Sequence, residues 1–199
     1  MAGQLPKTLL TMPDIDTRWM DAENIPLVIA GPCSAETEEQ LTSVSHALYA
    51  QGIKILRAGI WKPRTRPNNF EGVGSEALKW IDAIKQEIDV KFAIEVANPQ
   101  HVELALKHDI DILWIGARST VNPFTVQEIA ESLAGTDKPV MVKNPINPDV
   151  ALWMGALERL MNQGITQLSA IHRGFSSFRP SRYRNEPLWQ IPIELKRNF

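Results

Sequence analysis

At 199 residues, 44% of them hydrophobic, the chain is long enough to bury a substantial core and has the composition of an ordinary globular protein. A net charge of −2 provides no global basic field, which argues against nucleic acid as a partner, and a single cysteine excludes an intramolecular disulfide and fits a reducing compartment. No apolar run reaches the ~18–20 residues of a membrane helix and residues 1–24 do not read as a signal peptide, so no membrane partner and a cytoplasmic location are expected.

Residues 1–24, with Asp14, Asp16 and Asp21, read as an N-terminal arm, and residues 25–199 read as one domain built from a repeating unit. Short apolar runs at 25–30, 53–58, 90–96, 112–115, 140–142 and 165–171 alternate with helical patterns at 37–50, 75–87, 98–107, 122–133, 147–162 and 192–197. Ser34 or Thr37 can cap the first helix, and Asn98-Pro99, Asn122-Pro123 and Asn147-Pro148 open three others. The runs are nearly continuously apolar, as parallel strands covered on both faces should be. Strict strand–helix alternation predicts an α/β fold, either doubly wound or a TIM (β/α)8 barrel. The G-x-G-x-x-A match at Gly72–Ala77 lies too far beyond the strand ending near Ala58 to be a dinucleotide fingerprint. The barrel is preferred because Cys33, Arg57, Glu95, Arg118, Lys143 and Arg173 all fall at strand ends, where barrel enzymes assemble their sites.

Residues 55–74 concentrate the charge, with Arg57 ending the second run and Lys62, Arg64 and Arg66 in the loop behind it. Guanidinium forks and ammonium groups suit phosphate and carboxylate oxygens, so this loop points to a small, multiply anionic substrate. Glu95 and Lys143 are isolated charges in apolar segments, and each needs a partner or a ligand. Glu95 could act as a base, hold a water or pair with a cation. Cys33 could be a core residue, a thiolate ligand or a nucleophile. His46, His101 and His108 lie in helical patterns, His172 alternates away from Arg173, and no metal-binding spacing is present.

From residue 25 onward the chain resembles the type I 3-deoxy-D-arabino-heptulosonate 7-phosphate (DAHP) synthases, closest to the short branch related to enzymes fused to chorismate mutase. The motifs are Ala30-Gly31-Pro32-Cys33-Ser34, Arg57 with Lys62-Pro63-Arg64-Thr65, Ile115-Gly116-Ala117-Arg118, Val142-Lys143-Asn144 and His172-Arg173-Gly174. The resemblance implies condensation of phosphoenolpyruvate with erythrose 4-phosphate to DAHP and phosphate, the first step of the shikimate pathway, with a divalent metal (Mn, Co, Fe or Zn). It assigns Arg57, Lys62, Arg118, Lys143 and Arg173 to phosphoenolpyruvate, Arg64 and Thr65 to the aldose phosphate, and Cys33 to the metal. Lys62 and Glu95 are the expected catalytic residues. The family's other metal ligands lie beyond the sixth unit, whereas this sequence ends at Phe199 inside the sixth helix. About six βα units, an incomplete barrel with open edges, impaired turnover and a homo-oligomer are therefore expected. The alternatives are a non-catalytic phosphate-binding fragment and an octulosonate phosphate synthase-like enzyme, and the Lys62–Thr65 motif argues against the latter.

Overall fold

The computed structural model describes residues 15–20, 26–64, 66, 68–178 and 181–198. Its elements run β1 Ile29–Ala30, α1 Glu38–Ala50, β2 Ile55–Ala58, α2 Glu76–Glu87, β3 Lys91–Val96, α3 Pro99–Lys107, β4 Ile112–Ile115, α4 Ala117–Thr120, α5 Pro123–Ser132, β5 Val140–Lys143, α6 Val150–Asn162, β6 Leu168–Ile171 and α7 Gln190–Asn198. Helix starts follow local side chains. Thr37 accepts from the Gln40 amide at 3.1 Å, Asn98 from His101 at 2.8 Å and Asn122 from Phe124 at 3.0 Å. One expectation shifts: the cap of α6 is Asp149, which accepts from Leu152 at 2.9 Å, and not Asn147. Of the two candidate caps of α1, Thr37 is the one used, and the Ser34 hydroxyl is buried without a partner among the described residues. The short α4 has no counterpart in the sequence pattern, since four residues carry no period.

The six strands form one parallel sheet in the order β1-β2-β3-β4-β5-β6. Every strand thus lies beside its sequence neighbour, and among the described residues β1 and β6 pair on one side only. Alternation along the strands separates two faces. Leu56, Phe92, Ile94, Leu113, Ile115, Val140 and Val142 share the large core with helix residues such as Leu41, Ile81, Ile129 and Leu160. Ile55, Ala93, Ile112, Trp114 and Met141 form a separate cluster, joined by Trp19, Leu27, Ile29 and Ile171 and by no helix. Of the two architectures that the alternation allows, the doubly wound one is ruled out, since no helix among the described residues packs on the second face. Sequential order with one-sided helices is the architecture of a (β/α)8 barrel, present here as a six-strand arc.

A buried side chain fixes the end of β5. Trp153 of α6 is 1% exposed and donates its indole N–H to the Val142 carbonyl at 3.1 Å, holding β5 one residue before Lys143. Asp16, in the segment preceding β1, donates its amide to the Thr166 carbonyl at 2.9 Å, just ahead of β6. No helix among the described residues is long and apolar enough to cross a membrane.

Candidate active site

The period of two that sends Ile55, Ala93, Ile112 and Met141 to the helix-free face sends Arg57, Glu95, Trp114 and Lys143 to the same face at the C-terminal strand ends. Trp114 is the floor on which the others meet. Its indole N–H donates to Glu95 Oε2 at 2.7 Å. The Lys143 ammonium sits 4.7 Å from the Trp114 ring and the Arg57 guanidinium 5.2 Å from it. Lys143 Nζ also reaches Glu95 Oε2 at 3.5 Å, so the two charges isolated in sequence are partners in space. Burial holds the pKa of Lys143 below that of an ordinary lysine, and Arg57 and Lys62 push the same way against the pull of Glu95. Gly116, following β4, gives the carboxylate its room: a Cβ there would stand 2.2 Å from Glu95 Oε1.

The turns after β1 and β2 are stitched together. Ala35 donates to the Gly59 carbonyl at 3.0 Å and Gly59 to that of Pro32 at 3.4 Å. Lys62 Nζ bonds the Cys33 carbonyl oxygen and lies 3.3 Å from its Sγ. Burial raises the Cys33 thiol pKa, but Lys62 and Arg57 outweigh it and bring the thiol below its usual range. The loop bearing Lys62 is held by its own amide on the Glu71 carbonyl at 2.7 Å and by Trp61 stacked on His101 with ring centres 3.9 Å apart. Arg64 donates from Nε to the Phe70 carbonyl at 2.7 Å. Thr65 lies outside the described residues, and Arg66 is exposed and does not line the cavity.

On the other side, Arg118 enters from α4 and Arg173 from the turn after β6. Asn144, fully buried, fastens that turn: Oδ1 accepts from the Arg173 amide at 2.6 Å, and Nδ2 donates to Pro145 and Gly174 carbonyls at 2.8 Å each. The Arg173 guanidinium donates to Asn185 Oδ1 at 2.7 Å. Burial and the charges of Arg118 and Arg184 hold its pKa below the ordinary arginine value. His172 turns the opposite way, as alternation predicts, and packs against Phe175 and Trp189.

One cavity of about 360 Å³ gathers Cys33, Arg57, Lys62, Arg64, Glu95, Arg118, Lys143 and Arg173, every expected site residue except Thr65. Arg184, Asn185 and Ser176 join them without having been singled out in sequence, because they lie in a long loop whose composition reads as solvated. Its lining carries seven Lys and Arg side chains against one carboxylate. A larger cavity of about 470 Å³ at the opposite strand ends matches Asp16, Asp111 and Asp137 with Arg18, Lys91 and Lys138. Its charges balance, whereas those of the first cavity call for an anion.

The profile of the DAHP synthetase I family matches residues 15–198. This chain belongs to that family. It is 30% identical over 166 residues to phospho-2-dehydro-3-deoxyheptonate aldolase of Thermotoga maritima, covering 83% of this chain and 48% of that protein. The crystal structure of a Thermotoga maritima DAHP synthase superposes with a TM-score of 0.73 at 27% identity, over 84% of this chain and 47% of that one. A truncated form of 3-deoxy-D-arabino-heptulosonate 7-phosphate synthase from the same organism gives 0.69 at 26% identity, over 84% and 58%. The chain thus spans about half the length of the curated relative it matches.

Family membership raises the question of a metal. Among the described residues no group of three or more His, Cys, Asp or Glu side chains converges on one point. Cys33 has Lys62 and Arg57 for neighbours, a setting that attracts anions and repels cations. The described donors do not by themselves fit a divalent cation.

Proposed function

We propose that the chain carries the phosphoenolpyruvate-binding face of a DAHP synthase, acting in the condensation of phosphoenolpyruvate with erythrose 4-phosphate. The observation that carries this reading is the excess of seven cations over one carboxylate in a single cavity. Phosphoenolpyruvate brings a phosphate and a carboxylate on a three-carbon frame, and erythrose 4-phosphate a second phosphate. Arg57 and Lys62 stand on the Cys33 side, Arg118 and Arg173 on the other, and Lys143 enters from β5 over Trp114 beside Glu95. Such a frame can hold both ends of phosphoenolpyruvate and fix which face of its double bond meets the aldehyde. In the condensation the methylene carbon forms a bond to the aldehyde carbon, water adds to the carbon bearing the phosphate, and inorganic phosphate leaves. Positive charge develops on that carbon. Glu95, held by Trp114 and Lys143, is the carboxylate placed to stabilise it and to orient the water. Arg64 is assigned to the aldose phosphate, and Thr65 with it by sequence resemblance. A reducing, cytoplasmic setting and a homo-oligomer belong to the same proposal, the first supported by the free, exposed Cys33 thiol.

A binding-only role is favoured by one observation: the described residues bring only two metal-type donors, Cys33 and Glu95, to the cavity, and no group of three converges. Calorimetric titration with phosphoenolpyruvate, followed by a phosphoenolpyruvate-consumption assay with erythrose 4-phosphate and Mn²⁺, separates the readings. Binding that weakens with salt is expected under both, and turnover under the enzymatic one alone. Absence of binding would sink both.

The metal carries its own expectation. With one thiolate beside two cations, the chain should hold Mn²⁺ or Co²⁺ weakly and substoichiometrically. Equilibrium dialysis that found one tightly held metal per chain, lost in Cys33→Ala, would show that the donor set is completed by residues outside those described.

A further inference from the structure

We propose that Arg184 is a substrate-binding residue, the third guanidinium, with Arg118 and Arg173, of a seat for the phosphate group of an organic phosphate. The assignment rests on the anion-binding reading of the same cavity and extends it to a residue outside the motifs that carry the family resemblance.

Arg184 lines the cavity although it lies well beyond Arg173 in sequence. The loop between them folds back on itself. Phe175 and Glu186 form an isolated antiparallel bridge with backbone bonds of 2.8 and 2.7 Å. Phe175 is fully buried, and the Ser176 amide is tied to the Ile146 carbonyl at 2.8 Å, anchoring the base of the loop to the turn after β5. Arg184 and Asn185 directly precede the bridging Glu186, so they belong to this fixed base and not to the tip. Asn185 spends its Oδ1 on Arg173, which aligns the two neighbouring arginines on one wall.

The electrostatics agree with the geometry. Arg184 stands close enough to Arg173, with Arg118, to help hold the pKa of Arg173 down. The loop's own carboxylate, Glu186, accepts from the Ser181 hydroxyl at 2.6 Å, and no ion pair joins Arg184 to a carboxylate among the described residues. Arg118 and Arg184 each act on Arg173 as like charges, so an anion seated beside Arg173 would relieve both contacts. A phosphate dianion supplies two charges and several acceptor oxygens in a geometry that the forks match.

The test is calorimetry of the unaltered chain, Arg184→Ala, Arg184→Lys and Arg182→Ala, with phosphoenolpyruvate and with inorganic phosphate at two ionic strengths. Arg184 is exposed, so circular dichroism should report the same fold in all four. Arg184→Ala should weaken both ligands by about ten- to a hundredfold and reduce the salt dependence. Arg184→Lys should recover part of the loss, and Arg182→Ala, outside the cavity lining, should bind like the unaltered chain. If the unaltered chain binds phosphoenolpyruvate and Arg184→Ala binds it as tightly, the assignment falls and the cavity reading stands. Loss confined to phosphoenolpyruvate, with inorganic phosphate unaffected, would overturn the phosphate seat. No binding by the unaltered chain would overturn assignment and reading together.

Discussion

Replacing Lys143 with methionine should weaken phosphoenolpyruvate binding by between about thirtyfold and several thousandfold, the range for truncating one partner of a buried charge pair. Methionine keeps most of the volume over Trp114, so the effect isolates the charge. The pH dependence gives a second signature. Burial lowers the pKa of Lys143 in the folded chain, so on raising pH the folded state loses this proton before the unfolded state does. Phosphoenolpyruvate affinity should therefore fall as pH rises through that lowered value, below the ordinary lysine value of about 10.4. Stability should move the other way over the same window, because the unfolded chain there binds more protons. Cys33 adds a stability term of the same sign, its folded thiol also losing its proton early. Lys143→Met should reduce both the affinity trend and the stability trend, the contribution of Cys33 remaining in each. Titrations at a series of pH values, with thermal melts alongside, measure both. An unchanged dissociation constant in Lys143→Met would remove this lysine from the site.

Gly31→Ala should destabilise the fold by about 3 kcal/mol or more and lower the melting temperature by on the order of 10 °C. Gly31 has φ of +142°, and a Cβ there would stand 2.1 Å from the Arg57 carbonyl oxygen and 3.0 Å from its amide nitrogen. Those are backbone atoms of the neighbouring strand, so relief requires β1 to part from β2. Only Ile29 with Ile55 and Ala30 with Leu56 hold that pair in register. Cys33 would move with β1 and lose Lys62, so anion binding should fall with stability. Gly155→Ala in α6 is the control, since nothing lies within 4 Å of the added methyl group, and it should be neutral or slightly stabilising. A Gly31→Ala melt superimposable on that of the unaltered chain would show that the turn accommodates a side chain after all.

The strand ends were readable because a short apolar run that stops at a charged residue is a local pattern. Arg57, Glu95 and Lys143 could each be placed at a β-strand terminus without any knowledge of the sheet. What they do for one another could not be read. The sequence shows Glu95 and Lys143 as separate charges, each in need of a partner or a ligand, and cannot say that they meet each other over Trp114, whose role as floor depends on the register of β3, β4 and β5. Asn144 was visible only as part of a motif, and its grip on Arg173 exists because the turns after β5 and β6 are adjacent. Arg184 was hidden for a different reason. The residues around it suggest a solvated loop, and the bridge that returns it to the cavity, Phe175 with Glu186, has no sequence signature.

The neighbour-to-neighbour order of the sheet bears on how the protein is made. Each strand from β2 onward docks on the strand immediately before it, so none waits for a partner later in the chain. The arc can be laid down in the direction of translation, each βα unit extending a surface already standing. Arg57, Glu95, Lys143 and Arg173 then arrive in that order, and the cationic wall is assembled last, once β6 and its loop have emerged.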